Sequence, residues 1–261
     1  MKIVLLTPKT NRLMMKHLAS LMLLLGISFS ALMAQQSAVF IGVNGGANSS
    51  YLKHTDDLAS LYSTNSSVFG INTGVTAGLQ INRYRITTGV QYLQKGGIYS
   101  TDNFNDNQGT AFFSAKEKLH FISVPVVLGY EYPLGERVGI SLAMGPSFNF
   151  GLAGQIEETT EYFGSDEVDK QFHTVYFGDG VNEDYRKMQV GFQISPGMYV
   201  QLNRNSRVTM NVVWDRGTQD SFNERYKAAN TFFDDYRGNQ LNRSTMLTVG
   251  YEYRFNLEDK Y

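Results

Sequence analysis

From residue 35 onward the chain alternates apolar and polar residues with a period of two, the mark of strands with two unlike faces. The clearest run is 69–81. Phe69, Ile71, Thr73, Val75, Ala77, Leu79 and Ile81 face one way, and Gly70, Asn72, Gly74, Thr76, Gly78 and Gln80 face the other. Runs 84–94, 138–151, 188–202 and 245–255 repeat the pattern, and weaker versions cover 38–48, 119–132 and 207–216. The pattern predicts eight strands, each longer than the roughly five or six residues usual in globular proteins. Their connections alternate. Asn82-Arg83, Pro133 to Glu136 and Asn203 to Ser206 read as tight turns, whereas 52–68, 94–117, 152–186 and 217–242 are long and polar. Short turns at one end and long loops at the other describe an antiparallel up-and-down transmembrane barrel with periplasmic turns and extracellular loops. Loops of that length are uncommon inside a soluble domain.

Before the alternation comes one apolar run, Leu18 to Ala34, preceded by Lys16 and His17. A basic start, a short apolar stretch and a small residue at its end read as a secretory signal peptide over residues 1–34, leaving 35–261 as the barrel domain. The run is shorter than the ~20 residues a membrane helix needs. A start at Met15 gives a signal of conventional length, so the first 14 residues read as an over-extended start.

Alternation alone does not say which face is wet. A secreted sandwich or a lipocalin-like barrel hides its apolar face, and a membrane barrel shows it to lipid. The type of polar residue discriminates. Here the polar faces carry Gly, Ser, Asn, Gln and Thr, small enough for the crowded interior of an eight-stranded barrel. Lys53, Lys95, Lys116, Lys118, Lys170, Lys187, Lys227 and Lys260 are all read into loops or strand ends, away from a lipid-facing band where a charge costs several kcal/mol. Tyr84, Tyr130, Tyr132, Tyr251, Tyr253 and Phe255 fall at the turn ends of their strands, and Phe69, Tyr92, Phe148, Phe150 and Trp214 at the loop ends. Two aromatic rings match two membrane interfaces. The expected location is the bacterial outer membrane, with lipid as the surrounding partner. Tyr251-Glu252-Tyr253-Arg254-Phe255 resembles the terminal signal read by barrel-insertion machinery.

Composition narrows the function classes. The charged fraction is 18% and the formal net charge −1, which gives no basic face for nucleic acid. The absence of cysteine excludes disulfides and thiolate metal sites, and nothing in the sequence calls for a cofactor. Arg85, Glu131, Glu252 and Arg254 point inward by parity near the turn ends, which suggests either a salt-bridge plug or a gated ion path.

Several short segments then point to a family. Ser123 to Tyr130 is similar to the hydrophobic-Pro-hydrophobic strand of PorT-like outer-membrane β-barrel proteins. Ala143-Met144-Gly145-Pro146 and Gly191 to Gly197 resemble the strands that follow it. The resemblance implies an eight-stranded outer-membrane barrel, and it associates the chain with type IX secretion. Within it Pro125, Pro146 and Pro196 fall at similar heights on neighbouring strands. A proline donates no ladder hydrogen bond, so the expected explanations are a shared bulge or a weakened wall that a partner or lipid exploits.

Candidate chemistry is sparse. His54 lies near Asp56 and Asp57, His120 lies three residues before Ser123, and His173 sits in an acidic region with Asp166, Glu167, Asp169, Asp179, Glu183 and Asp184. These raise acid–base catalysis and carboxylate-bound Ca²⁺ as options. The fourth loop interleaves Tyr226, Phe232, Phe233 and Tyr236 with charges, as a protein interface or a folded-over cap would. The leading expectation is a non-enzymatic barrel that binds other envelope proteins, with a type IX-like secretion complex as one setting. A lipid- or peptide-modifying enzyme and a narrow channel are the alternatives.

Overall fold

The computed structural model describes residues 37–54, 64–106, 109–164, 168–180, 182–222 and 240–257. Among them are ten strands: β1 (Ser37–His54), β2 (Thr64–Ser66), β3 (Val68–Ile81), β4 (Tyr84–Asp106), β5 (Gly109–Pro133), β6 (Val138–Tyr162), β7 (Val168–Val175), β8 (Met188–Gln201), β9 (Ser206–Gly217) and β10 (Gln240–Asn256). Eight of them, β1, β3, β4, β5, β6, β8, β9 and β10, form an antiparallel ring in chain order. The ring closes where β1 meets β10, through a continuous ladder from Ala38↔Asn256 to His54↔Gln240. Closure satisfies the backbone groups that an open edge would leave bare in lipid.

The faces fall as the alternation requires. Phe69 is 81% exposed, Ile71 58% and Val75 56%, while Asn72 between them is buried. The apolar face is the outside of the cylinder, as in a membrane barrel and unlike a soluble one. The tight turns are built by short-range hydrogen bonds. Asn82 takes φ 53° in the two-residue β3–β4 connection, a left-handed conformation that asparagine tolerates. The Asn203 carboxamide oxygen accepts from the amides of Asn205 and Ser206, both at 2.9 Å.

The strands match the sequence reading at their turn ends and outrun it at their loop ends. The segment 94–117 is not a loop. Its described parts, 94–106 and 109–117, continue β4 and β5 as paired strands, and 152–162 likewise continues β6. β5 has 25 residues, about 85 Å at ~3.4 Å per residue, and a tilted membrane strand needs only ~9–11. The excess stands outside the membrane, where β2, β4, β5, β6 and β7 make an external sheet. Lys95, Lys116, Lys118 and Lys170 therefore lie within strands and not in loops. Beyond the membrane either face is free to be polar, so the alternation fades while the pairing continues.

Where the external sheet meets the barrel mouth, Tyr99, Ala115, Leu119, Phe121, Ile156, Val175, Tyr185 and Phe222 form one buried cluster with Phe113 and Phe177 packed on it. Tyr185 bridges to both Phe177 and Phe222, and its ring lies 4.8 Å from that of Phe222. This apolar roof has no counterpart at the turn end among the described residues.

The three prolines do not share a bulge. Pairing lapses between β4 and β5 opposite Pro125, between β5 and β6 opposite Pro146, and between β8 and β9 opposite Pro196. It resumes in the same register each time: Thr88↔Val126 to Gln91↔Ser123, Pro125↔Ser147 to Leu128↔Met144, and Ile194↔Trp214 to Gly197↔Asn211. Each proline is still paired across its other edge, to Ser147, Phe192 and Leu142 respectively. A missing donor thus removes local hydrogen bonds without inserting a residue. The register shifts lie higher, between His120 and Phe121 and between Thr101 and Phe104.

Candidate functional site

The lower lumen is filled by a closed ring of four charges. Arg85 donates to Glu131 through Nη1 at 2.8 Å and to Glu252 through Nη2 at 2.9 Å. Arg207 donates to Glu131 through Nη1 at 2.9 Å and to Glu252 through Nε at 2.7 Å. Each cation touches both anions and each anion both cations, the arrangement that compensates charges withdrawn from water. Aromatic rings support both cations: Arg85 lies 4.0 Å from the Phe40 ring centroid and Arg207 4.9 Å from that of Tyr199. Glycines make room for the ring. A Cβ on Gly129 would stand 2.9 Å from Arg85 Cγ, and one on Gly42 2.9 Å from Glu252 Cγ.

Sequence parity identifies three members of this ring, Arg85, Glu131 and Glu252, and places Arg254 with them. Arg254 lies to one side, 3.9 Å from Glu131 and 3.5 Å from Gln201 Oε1, at the rim. The fourth member is Arg207, which is fully buried and absent from the sequence reading. It opens a weakly alternating strand beside a turn, where an arginine reads as a surface residue. The signal that could have found it was register, since Arg207 sits directly opposite Glu252.

A second ionic layer lies above the first. Lys95 is buried and donates to Asp215, whose other oxygen accepts from Ser147 at 2.7 Å. Between the layers is a cavity of about 120 Å³, lined by Thr76, Thr87, Gln91, Gln193, Thr209 and Asn211 among others. Higher still, the Tyr185 hydroxyl donates to the buried Glu117. From the turn end upward the lumen therefore holds a charge ring, a small chamber, an ion pair and an apolar roof.

Among the described residues the candidate catalytic residues are not brought together. His120 lies in the middle of β5 and points outward, while Ser123 points inward and is buried, because residues three apart on a strand face opposite ways. His120 instead stacks on Tyr92 and shares a hydrogen bond with its hydroxyl. His173 pairs with Glu158 at 2.9 Å on the external sheet. The Asp184 carboxylate accepts from the Tyr176 amide at 3.0 Å. Among the described residues no three carboxylates or histidines are grouped to hold a metal ion. The His54 side chain, Asp56, Asp57, Asp166 and Glu167 lie outside the described residues, as do the fourth-loop aromatics Tyr226, Phe232, Phe233 and Tyr236 and the signal segment.

The model of the outer membrane protein beta-barrel domain family matches residues 33–223. The chain belongs to this family. No curated protein matches it as a relative. Among solved structures, this outer-membrane barrel is similar to a major outer membrane protein of Thermus thermophilus, with 14% identity, 84% of this chain and 99% of that one covered, and a TM-score of 0.41. Neisserial surface protein A is also 14% identical over 84% of this chain and 99% of its own, with a TM-score of 0.39. The attachment invasion locus protein Ail of Yersinia pestis is 10% identical over 85% and 99%, with a TM-score of 0.32. The protein is an eight-stranded barrel of the outer membrane.

Proposed function

We propose that this outer-membrane barrel is a closed, non-enzymatic scaffold whose external sheet binds another envelope protein. The observation that carries this reading is the extension of β4, β5 and β6 far beyond the membrane, with β7 paired along the outer edge of β6. On β7 and just after it, Val168, Phe172 and Tyr176 are 50%, 61% and 60% exposed, a set of apolar anchors on a rigid sheet. Among the described residues β7 pairs with β6 alone among the strands, leaving an edge that an extended segment of a partner can lengthen. The segments similar to PorT-like proteins favour a type IX-like secretion complex as the setting. Tyr251, Tyr253 and Phe255, all outward on β10, favour recognition of this strand by the insertion machinery.

The test is a pull-down of tagged protein from native outer membrane in mild detergent, with mass spectrometry of the eluate. A stoichiometric envelope protein is expected, and it should be lost in the double variant Phe172→Ser/Tyr176→Ser, whose barrel stays folded. A barrel that elutes alone refutes the reading. The chamber between the two ionic layers favours a narrow channel as the second reading, since a permeating ion would have to open both layers.

A further inference from the structure

We propose that the outer wall at β9, β10 and β1 carries a binding site for the phosphate headgroup of an outer-leaflet lipid, formed by Arg216 and Arg243 with Lys53 beside them. Arg243 and Arg216 are direct register partners on adjacent strands. Both face outward: Arg216 shares its face with Met210 and Trp214, and Arg243 shares its face with Leu247 and Val249. Directly opposed side chains have Cβ atoms ~4.5–5.5 Å apart, and like charges in that position repel. Elsewhere in this protein opposed charges are answered by carboxylates, as in the Arg85–Glu131–Arg207–Glu252 ring. Among the described residues neither Arg216 nor Arg243 is held by a carboxylate. Arg243 Nη1 donates instead to the Tyr51 hydroxyl at 3.4 Å, and Lys53, two residues along β1 on the same outward face, is exposed. Arg243 thus lies between Tyr51 on β1 and Arg216 on β9, with Lys53 beside Tyr51 on the same outer face.

The height of the cluster identifies the occupant. On β10 ten residue steps separate Tyr253, in the turn-end aromatic ring, from Arg243. At ~3.4 Å per residue and a tilt of ~40°, this is about 26 Å along the membrane normal, close to the ~25 Å apolar band of such barrels. The residues beneath the arginines, Trp214, Leu247, Val249 and Met210, are lipid-facing and exposed on the isolated barrel. Acyl chains that cover this wall bring their headgroups to the arginine level. Two guanidinium groups are suited to a phosphate, which offers several acceptor oxygens and relieves the repulsion between them. The loop end faces outward from the cell in this architecture, so the lipid belongs to the outer leaflet.

The protein carries its own probe. Trp214 is its sole tryptophan, and it lies two residues from Arg216 on the same face. Full-length protein is reconstituted in phosphatidylcholine vesicles, and diphosphoryl lipid A is titrated in while Trp214 emission is followed. A saturable change is expected, with no such change for a phosphate-free analogue of the same acylation. Arg216→Gln and Arg243→Gln should each weaken binding at least about tenfold, the equivalent of ~1.4 kcal/mol. Arg204→Gln, in the opposite turn, should leave it unchanged. Arg216 is exposed, so its variant tests the site even if the Arg243 variant fails to fold. An unchanged titration in the Arg216→Gln protein overturns the proposal. So does equal binding of the phosphate-free analogue. Inorganic phosphate that produces the same saturable change in lipid A-free vesicles also overturns it, in favour of a free-anion site.

Discussion

Replacing Arg207 with methionine tests whether the lower charge ring is one cooperative unit. The side chain is fully buried, and methionine keeps much of its volume. The substitution removes the 2.9 Å bond to Glu131, the 2.7 Å bond to Glu252 and the contact with the Tyr199 ring. It leaves two buried carboxylates to share Arg85. Taking one partner from a buried ionic network costs about 3–5 kcal/mol, mostly because the remaining charge is uncompensated. Arg254→Met is the matched control. It removes an arginine beside the ring that reaches Glu131 only at 3.9 Å and Gln201 only at 3.5 Å, so a smaller loss than for Arg207→Met is expected. Urea unfolding in lipid vesicles, followed by Trp214 emission and by gel mobility of folded against unfolded barrel, measures both. Adding Glu252→Gln to each arginine variant completes a double-mutant cycle, and Arg207 should couple to Glu252 by at least ~1 kcal/mol. If Arg207→Met costs no more than Arg254→Met, the ring is not a stabilising unit.

Three further outcomes follow from the same geometry. In planar bilayers the wild-type protein and the single variants Arg207→Ala and Lys95→Ala should not conduct, because each leaves one ionic layer in place, whereas steady conductance from a single variant would show that the layers do not close the lumen independently. Asp215→Asn should destabilise by about 3–5 kcal/mol because it strands the buried Lys95, and adding Lys95→Met should recover most of the loss; urea midpoints of the single and double variants decide this. Pro146→Val restores a donor opposite the Val126 backbone, where pairing lapses without a shift of register, so stability should rise by up to about 1 kcal/mol; a loss above ~2 kcal/mol on unfolding would mean that the proline is required.

What the sequence determined by itself is whatever depends on neighbours along one strand. Side chains two apart share a face, so the period of two marks the eight wall strands, their lipid-facing residues and their turn ends without knowledge of their partners. Inward parity likewise identifies Arg85, Glu131 and Glu252 as lumen charges. The membrane makes this legible, because it penalises any exception on the outer face. Tertiary structure decided what depends on register between strands. Arg207 enters the ring only because β9 places it opposite Glu252, and Lys95 meets Asp215 across 120 residues of chain. The true length of β4, β5 and β6 was hidden for a related reason. Outside the membrane no solvent difference forces alternation, so the backbone continues to pair where the side chains carry no period. The opposed Arg216 and Arg243 belong to the same class. Each is an ordinary arginine near a strand end, and only the pairing of β9 with β10 sets one positive charge against another.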